Sequence, residues 1–505
     1  MLVGIALLHG PHLVGQTTER DTVSLPLPVA RPLRNPPLVD IVGRVAAMDG
    51  TTHDVPLLAS LAVTDLDLYD LQLRSIFPRS ADHVADDSIR AAKVARAQVW
   101  MTRLRSAPRS SVEGRQAVSF ADVALRAGQD TAAERILNGA LKVIPSGKAG
   151  AVARSFVLAS AIALLTRADP DPRRLAKNIA RADRYVTALA AIPTTGYATR
   201  SDSTAVLYRQ YLSALVLTNA ADLALLPERV VHYAEQLASI LPSINWTERR
   251  EIVIDRFPYR VLATALMNGP GGRSHIETWQ AKLLTLVAPR PGEVIVGWEP
   301  MNQVAATKSA QETLHDQFAS FDLLGRHAPS IAAHAWINTP DSAYAPAPRT
   351  HAFDDGVVRV LAIANNDDDV LPVLDRLQRQ FASGVQVVLA TSTDGHVGPD
   401  ILTPADEVAW WSRYYHQKRH FTFPVALWAG SRVPQSYGTS RPEGSTAEVD
   451  YHAGWIHGMC ILVDGRGVVR AYEPVATRTE EEQLARRVRA LLGERETEQH
   501  KEQGE

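Results

Sequence analysis

The C-terminal third of this 505-residue chain takes its architecture from one stretch, VVRVLAIANND, at residues 357–367. Its first seven residues are apolar except for Arg359, without the alternation of a strand that has one wet face, so we predict a buried strand. Residues 364–367 are small or polar and predict a loop. Apolar residues then recur at helical spacing over 370–381, which predicts a helix directly after that loop.

The strand–loop–helix unit opens a longer alternation. Residues 385–390 and 423–427 predict further strands, and between them Thr403-Pro404-Ala405-Asp406 has the pattern of a capping box before a helix. Residues 459–469 predict a hairpin around an Asp-Gly turn. An amphipathic helix ends the series, so the order is strand, helix, strand, helix, strand, hairpin, helix.

This order resembles the thioredoxin-like redoxins of the TlpA/ResA type. The stretch LGRHAP at 324–329 resembles the Gly-x-x-Ala-Pro stretch that precedes their domain. Pro372 matches the proline that follows their Cys-x-x-Cys pair by five positions, which places the pair at Ala364 and Asp367. The resemblance implies a thioredoxin-like α/β domain over residues 321–495.

The redox pair of that family is missing here. The matching loop reads Ala364, Asn365, Asn366, Asp367, and Cys460 is the one cysteine of the whole sequence. Family chemistry needs a thiolate at the start of the helix, and a second cysteine resolves the mixed disulfide. His457 stands where the family has its cis-proline. We therefore expect a degenerate, redox-inactive site.

Several residues near this site remain candidates for other roles. Cys460 falls inside a predicted strand, where a cysteine usually behaves as a small buried hydrophobe; the alternative is a reactive thiol assisted by His457. Asp367 with His457 is a candidate acid–base pair. The acids of this loop also offer oxygen ligands, but helix capping explains them without a metal, so we predict none.

The region before this domain, residues 85–290, has the composition and spacing of helices. Four predicted helices end at prolines with steps of 48, 49 and 47 residues: Pro145, Pro193, Pro242 and Pro289. Gly128 falls in the turn of a tetratricopeptide-like hairpin, and Ala133, Leu137 and Ala140 fall at the small, large and small positions of its second helix. A near-constant step predicts stacked helical hairpins, an α-solenoid, although four unrelated helix ends are the alternative.

Other segments complete the predicted domain organisation. We expect residues 1–80 to be irregular, 291–320 to be a linker and 496–505 to be a disordered tail. Residues 1–16 are mildly apolar and interrupted by His9, Pro11 and His12. They match either the remnant of a secretory signal or an ordinary terminus, so a periplasmic or secreted location and a cytoplasmic one both stay open.

Composition narrows the range of functions. The formal net charge is −2, from 53 basic and 55 acidic side chains, which gives no field that attracts nucleic acid or anionic lipid. The sequence has no run of about 18 apolar residues, so we predict no membrane span. The sequence has no Walker loop, dinucleotide fingerprint or nucleophile elbow, so we predict no cofactor.

These features favour a non-catalytic, redox-inactive, thioredoxin-like protein of the bacterial cell envelope that binds a protein or peptide partner through its helical array. The alternative is a redoxin-type thiol–disulfide oxidoreductase or peroxidase that uses Cys460 or a partner's thiol. The sequence leaves the oligomeric state open.

Overall fold

A computed structural model gives the architecture of most of the chain. It describes residues 55–76, 83–105, 114–167, 171–197, 199–269, 272–293, 300–329, 331–333, 335–337, 349–351, 353, 355–363, 370–381, 384–393, 396–397, 400–401, 403–414, 421, 423–429, 459–475 and 478–502. Helices dominate, and the C-terminal part contains a mixed six-stranded sheet.

Twelve α-helices of the described chain precede the first strand. They are α1 (Val55–Ile76), α2 (His83–Arg105), α3 (Gly114–Arg126), α4 (Asp130–Val143), α5 (Lys148–Leu165), α6 (Pro172–Ala190), α7 (Arg200–Leu223), α8 (Pro227–Ile240), α9 (Trp246–Glu251), α10 (Tyr259–Met267), α11 (Gly272–Val287) and α12 (Pro300–Ser320). A π-helical turn, Ile252–Arg256, continues α9.

The predicted helix ends at the four prolines are confirmed. Helices α4, α6, α8 and α11 each end two or three residues before their proline, at Val143, Ala190, Ile240 and Val287. Proline has no N–H group, so it cannot donate to the free carbonyls of the last helical turn. Those carbonyls need other donors.

Side chains from elsewhere in the fold supply these donors. Arg154 of α5 donates to the carbonyls four and one residues before Pro145, at 2.7 and 3.4 Å. Gln210 of α7 donates to the carbonyls four and one residues before Pro193, at 2.9 and 3.0 Å. In both helices a side chain thus donates to the carbonyls four and one residues before the proline, and the two prolines lie 48 residues apart.

Polar pairs between helices also recur at nearly this interval. They join α4 to α6 and α8 to α11, and each links residues 47 positions apart: Glu134–Arg181, Asn138–Tyr185 and Glu235–Lys282. The predicted turn glycine, Gly128, has φ +73°, and Ala133 and Leu137 are fully buried. The helical hairpin at 114–143 is therefore confirmed.

The C-terminal part contains ten strands and three helices among the described residues. They are β1 (Ile331–Ala333), β2 (Ala335–Ile337), β3 (Arg349–His351), β4 (Val358–Ile363), α13 (Leu371–Gln380), β5 (Val385–Thr393), β6 (His396–Val397), β7 (Asp400–Ile401), α14 (Pro404–Ser412), β8 (Val425–Ala429), β9 (Met459–Val463), β10 (Val469–Pro474) and α15 (Arg478–Glu502). The predicted capping box is confirmed, because Thr403 Oγ1 accepts from the N–H of Asp406 at 3.3 Å.

The main sheet has the order β10-β9-β4-β5-β8-β2. Strands β4, β5 and β8 are parallel, whereas β9, β10 and β2 run antiparallel to their neighbours. One face packs on α13 and α15 through Leu374, Leu377, Leu484 and Val488. Two small antiparallel pairs, β1–β3 and β6–β7, accompany it.

The free edge of β10 is covered by other parts of the chain. The backbone at Gly325 and Arg326 pairs with Val469 at 2.9 Å in both directions. Further along, Asn268 of α10 donates to the carbonyl of residue 470 at 3.2 Å, and Arg260 donates to that of residue 472 at 2.7 Å. An edge strand presents unpaired backbone groups, and here α10 satisfies them.

Gly325, part of the LGRHAP stretch, is required by this arrangement. Its φ is +77°, in the left-handed region that favours glycine, and a Cβ there would lie 2.5 Å from the sulfur of Met267. The stretch therefore brings the chain against α10 before it enters the sheet.

The chain forms two compact units. One comprises residues 1–167 with 177–213, and the other comprises 168–176 with 214–505. The helices from the end of α7 onward thus belong with the sheet, although the sequence places a domain boundary near residue 320.

Three segments expected to be irregular contain helix instead. Helix α1 lies within 1–80, α12 occupies most of the expected linker, and α15 extends through the expected tail to Glu502. In α12, Ala310, Leu314 and Phe318 are buried at a spacing of four, which is a helical stripe within a polar sequence. The end of α15 is rich in Glu, Lys and Gln, which are good helix formers.

Among the described residues, only α5 has the length and apolar composition to cross a membrane, and 61% of it is buried inside the protein. The described chain is therefore not a multi-span membrane protein.

A first prediction concerns Arg249, which is 1% exposed and fastens the end of α11. It donates to the carbonyls of Leu286 at 2.9 Å and Ile244 at 3.0 Å and pairs with Glu293 at 2.7 Å. We expect Arg249→Met to lower the free energy of unfolding by about 3 kcal/mol, because it strands several buried acceptors. Urea denaturation measures the change.

The control is Arg256→Met, which removes an exposed ion pair with Glu251 and should cost less than about 1 kcal/mol. Equal losses in the two variants would contradict the assigned role of Arg249.

Candidate functional site

Cys460 lies in the middle of the sheet. It is fully buried in β9, opposite Ala362 of β4 and Glu473 of β10. Burial raises the pKa of its thiol, and the neighbouring carboxyl of Glu473 raises it further. Because the thiolate is the nucleophilic form, this environment is that of an inert, structural cysteine.

The predicted redox-loop positions Ala364, Asn365, Asn366 and Asp367 lie outside the described residues, and so does His457. The elements that flank the loop are described. Strand β4 ends at Ile363 and α13 begins at Leu371, so the strand and the helix predicted on either side of these positions are present. The acid–base pair of Asp367 and His457 stays a prediction.

No group of three or more His, Cys, Asp or Glu side chains that could hold a metal occurs in the described part of the chain. The aromatic residues of α14 and the turn after it pack on the core. Trp411 is buried, and Trp410 and Tyr414 are half-buried against the core. Their rings stack on each other with centroids 5.1 Å apart.

The structure brings together a set of charged side chains that the sequence analysis did not identify. We call Asp222, Arg260, Glu473 and Arg487 the buried ion cluster. Arg487 of α15 contacts the carboxylates of both Asp222 and Glu473. Arg260 lies 3.5 Å from Glu473, and Gln483 donates to Asp222 at 2.5 Å. The cluster thus joins α7, α10, β10 and α15.

The carboxyl of Glu473 has the most unusual environment in this cluster, because it is fully buried on the inner face of β10. Burial raises its pKa, and the two guanidinium groups oppose that rise only in part. The buried carboxyl between two arginines stabilises the contact of α7, α10, β10 and α15 only while all of its charged partners stay in place.

A cavity of about 160 Å³ lies beside the cluster. Asp222 and Arg487 line it, together with Asn268 and Arg470 and an apolar wall from the turn after α7, from α8, α10 and α15 and from strands β9 and β10. Arg470 is held by Asn268 at 3.0 Å and by Asp464 at 3.1 Å. This cavity is the candidate binding site of the described chain.

The sequence contained one signal for this site. In the stretch that follows the predicted hairpin at 459–469, Ala471, Glu473 and Val475 alternate onto the buried face, and a glutamate among buried positions needs a partner. Which arginine would provide that partner could not be read from the sequence, because Arg260 lies more than 200 residues away.

Comparison with known proteins gives no relative. No protein-family model, no curated protein and no solved structure matches this chain.

A second prediction concerns the pH dependence of stability. The folded state raises the pKa of Glu473 above its ordinary value of 4.5, so the folded protein holds this proton more tightly than the unfolded chain does. The stability from this group is present below pH 4.5 and is lost as pH rises through the folded pKa. Each unit of difference corresponds to about 1.4 kcal/mol.

Glu473→Gln cannot ionise, so we expect wild type to lose stability relative to this variant as pH rises from 4.5 to 8, measured by urea midpoints at a series of pH values. Glu251→Gln, at an exposed position, is the control and should follow the wild-type profile. Parallel profiles for wild type and Glu473→Gln, or a difference of opposite sign, would show that this carboxyl does not titrate as described.

Proposed function

We propose that this chain is a non-catalytic, thioredoxin-like protein that works as a protein-binding or scaffolding component. The observation that carries the proposal is the position of Cys460, the one cysteine of the sequence, fully buried in the centre of the sheet. A disulfide exchange cycle needs an accessible thiolate, and no other residue of the chain can supply one.

The thioredoxin-like assignment rests on topology. Two parallel strands, β4 and β5, are joined by a helix, a third parallel strand follows, and an antiparallel hairpin lies on the other side of β4. That is the arrangement implied by the TlpA/ResA-type resemblance. The emptied loop at residues 364–367 follows β4, where the family carries its cysteines.

The binding role is assigned to the helical hairpins. The capping of carbonyls before Pro145 and Pro193, and the polar pairs 47 residues apart, favour a tetratricopeptide-like or α-solenoid repeat. Stacked hairpins form extended surfaces that commonly bind peptides. A location in the bacterial periplasm or outside the cell is part of this proposal, through the family resemblance.

The alternative is a redoxin-type oxidoreductase or peroxidase that uses Cys460 or a partner's thiol. The main difficulty for Cys460 is the raised pKa of a fully buried thiol. The alternative makes a distinct prediction, because any activity that uses Cys460 must disappear with Cys460→Ser.

We therefore expect wild type and Cys460→Ser to be equally inactive in insulin-disulfide reduction and peroxide turnover. An aromatic disulfide reagent should label Cys460 at least about 10³-fold more slowly in native than in denatured protein, since labelling requires opening of the core. Both proteins should also capture the same partners from a lysate. Turnover or capture that is lost in Cys460→Ser would favour the oxidoreductase.

A further inference from the structure

Leu225 has a backbone conformation that is unusual for its residue type. Its φ is +54°, and among the described residues it is the only one other than glycine with a positive φ. It follows α7, where its N–H donates to the carbonyl of Asp222 at 2.9 Å and the N–H of Leu226 donates to that of Ala221 at 2.9 Å. A side chain in the left-handed region is unfavourable, so something must hold it there.

The hairpin of α3 and α4 makes the same turn with glycine. Gly128 has φ +73° and donates to the carbonyl of Leu125 at 3.0 Å, and the next N–H, of Gln129, donates to that of Ala124 at 2.8 Å. In both turns the second helix begins two residues after the left-handed residue, at positions 130 and 227. The turn therefore forms without a side chain, and leucine is not needed for the backbone geometry.

What distinguishes Leu225 is that it lines the cavity beside the buried ion cluster. The neighbouring wall is apolar, formed by Leu226, Val230, Ala265 and Leu491 with Leu462 of β9. Leu225 thus adopts an unfavourable backbone conformation and contributes apolar surface to a cavity that other side chains do not fill. A strained residue facing an unfilled space is a feature of binding sites.

The polar lining of the cavity is electrically balanced. Arg470 and Arg487 carry two positive charges, and Asp222 and Glu494 carry two negative charges. Each is already paired: Arg487 with Asp222, and Arg470 with Glu494 at 3.2 Å. A charged ligand would bring an uncompensated charge, which is costly away from water.

Arg487 lines the cavity, and we assign it as the hydrogen-bond donor to a ligand. Its contacts with Asp222 and Glu473 use Nε and Nη2, so we assign Nη1 to this role. A cavity of about 150 Å³ with apolar walls accepts a molecule the size of benzene.

From these observations we propose that the cavity binds an uncharged small molecule, about one six-membered ring in size, with a carbonyl or hydroxyl oxygen that accepts from Arg487. The site is independent of the thiol question and adds a small-molecule ligand to the proposed binding protein. It lies wholly within the unit that contains the sheet.

Three probes of equal size and different charge test the proposal: benzamide, benzoate and benzylammonium. With full-length protein, we expect saturable binding of benzamide with a Kd on the order of 1 mM or tighter, measured by ligand-observed NMR or calorimetry. Benzoate and benzylammonium should bind at least about tenfold more weakly, because each adds an unpaired charge.

Two alanine-to-leucine variants locate the binding. Ala490 is exposed at the cavity, and Ala490→Leu should weaken benzamide binding at least about fivefold by narrowing the space, whereas Ala281→Leu, at an exposed position of α11 away from the cavity, should leave binding unchanged. Leu225→Gly, which removes the strained wall residue, should fold and bind benzamide more weakly. Absence of benzamide binding to wild type, equal binding of the charged probes, or equal effects of the two leucine variants would overturn the proposal.

Discussion

The structure of the C-terminal unit depends on how the open edge of β10 is satisfied. A strand at the edge of a sheet has backbone groups that must find partners, and at β10 they find the backbone of Gly325 and Arg326 and side chains of α10. The buried ion cluster lies directly behind this edge. Arg487 reaches from α15 to Asp222 of α7, so the helices on either side are held to the same strand. This explains why the sheet and the helices from residue 214 onward form one unit.

A related constraint shapes the helical hairpins. Proline ends a helix cleanly, but it leaves carbonyls that lack donors. Arg154 and Gln210 satisfy equivalent carbonyls, although they differ in chemistry and in their distance from the proline. The two helix ends thus share the need for a donor and not the donor itself. In the sequence this feature is visible in the prolines, which follow one another at steps of 47 to 49 residues.

Much of the fold could be predicted, because short sequence patterns determine many of its elements. Strand β4, the strands after it and the hairpin at 459–469 have continuous apolar runs, and the capping box at Thr403 is a four-residue pattern. Helix α12 was missed because three buried residues lie in a polar, proline-led stretch. The candidate site was missed for a different reason. Asp222, Arg260, Glu473 and Arg487 meet only after the chain has folded, and local spacing cannot show which arginine approaches Glu473.

Because the buried ion cluster joins α10, β10 and α15, we expect these three elements to open as one body. Native-state hydrogen exchange of the full-length protein tests it, with peptides from the three elements followed in wild type and in Arg487→Met. The account predicts one shared opening free energy for the three elements and a parallel decrease in the variant. If α10 kept its wild-type protection while β10 and α15 lost theirs, the helix would not depend on the ion cluster, and the account would be wrong.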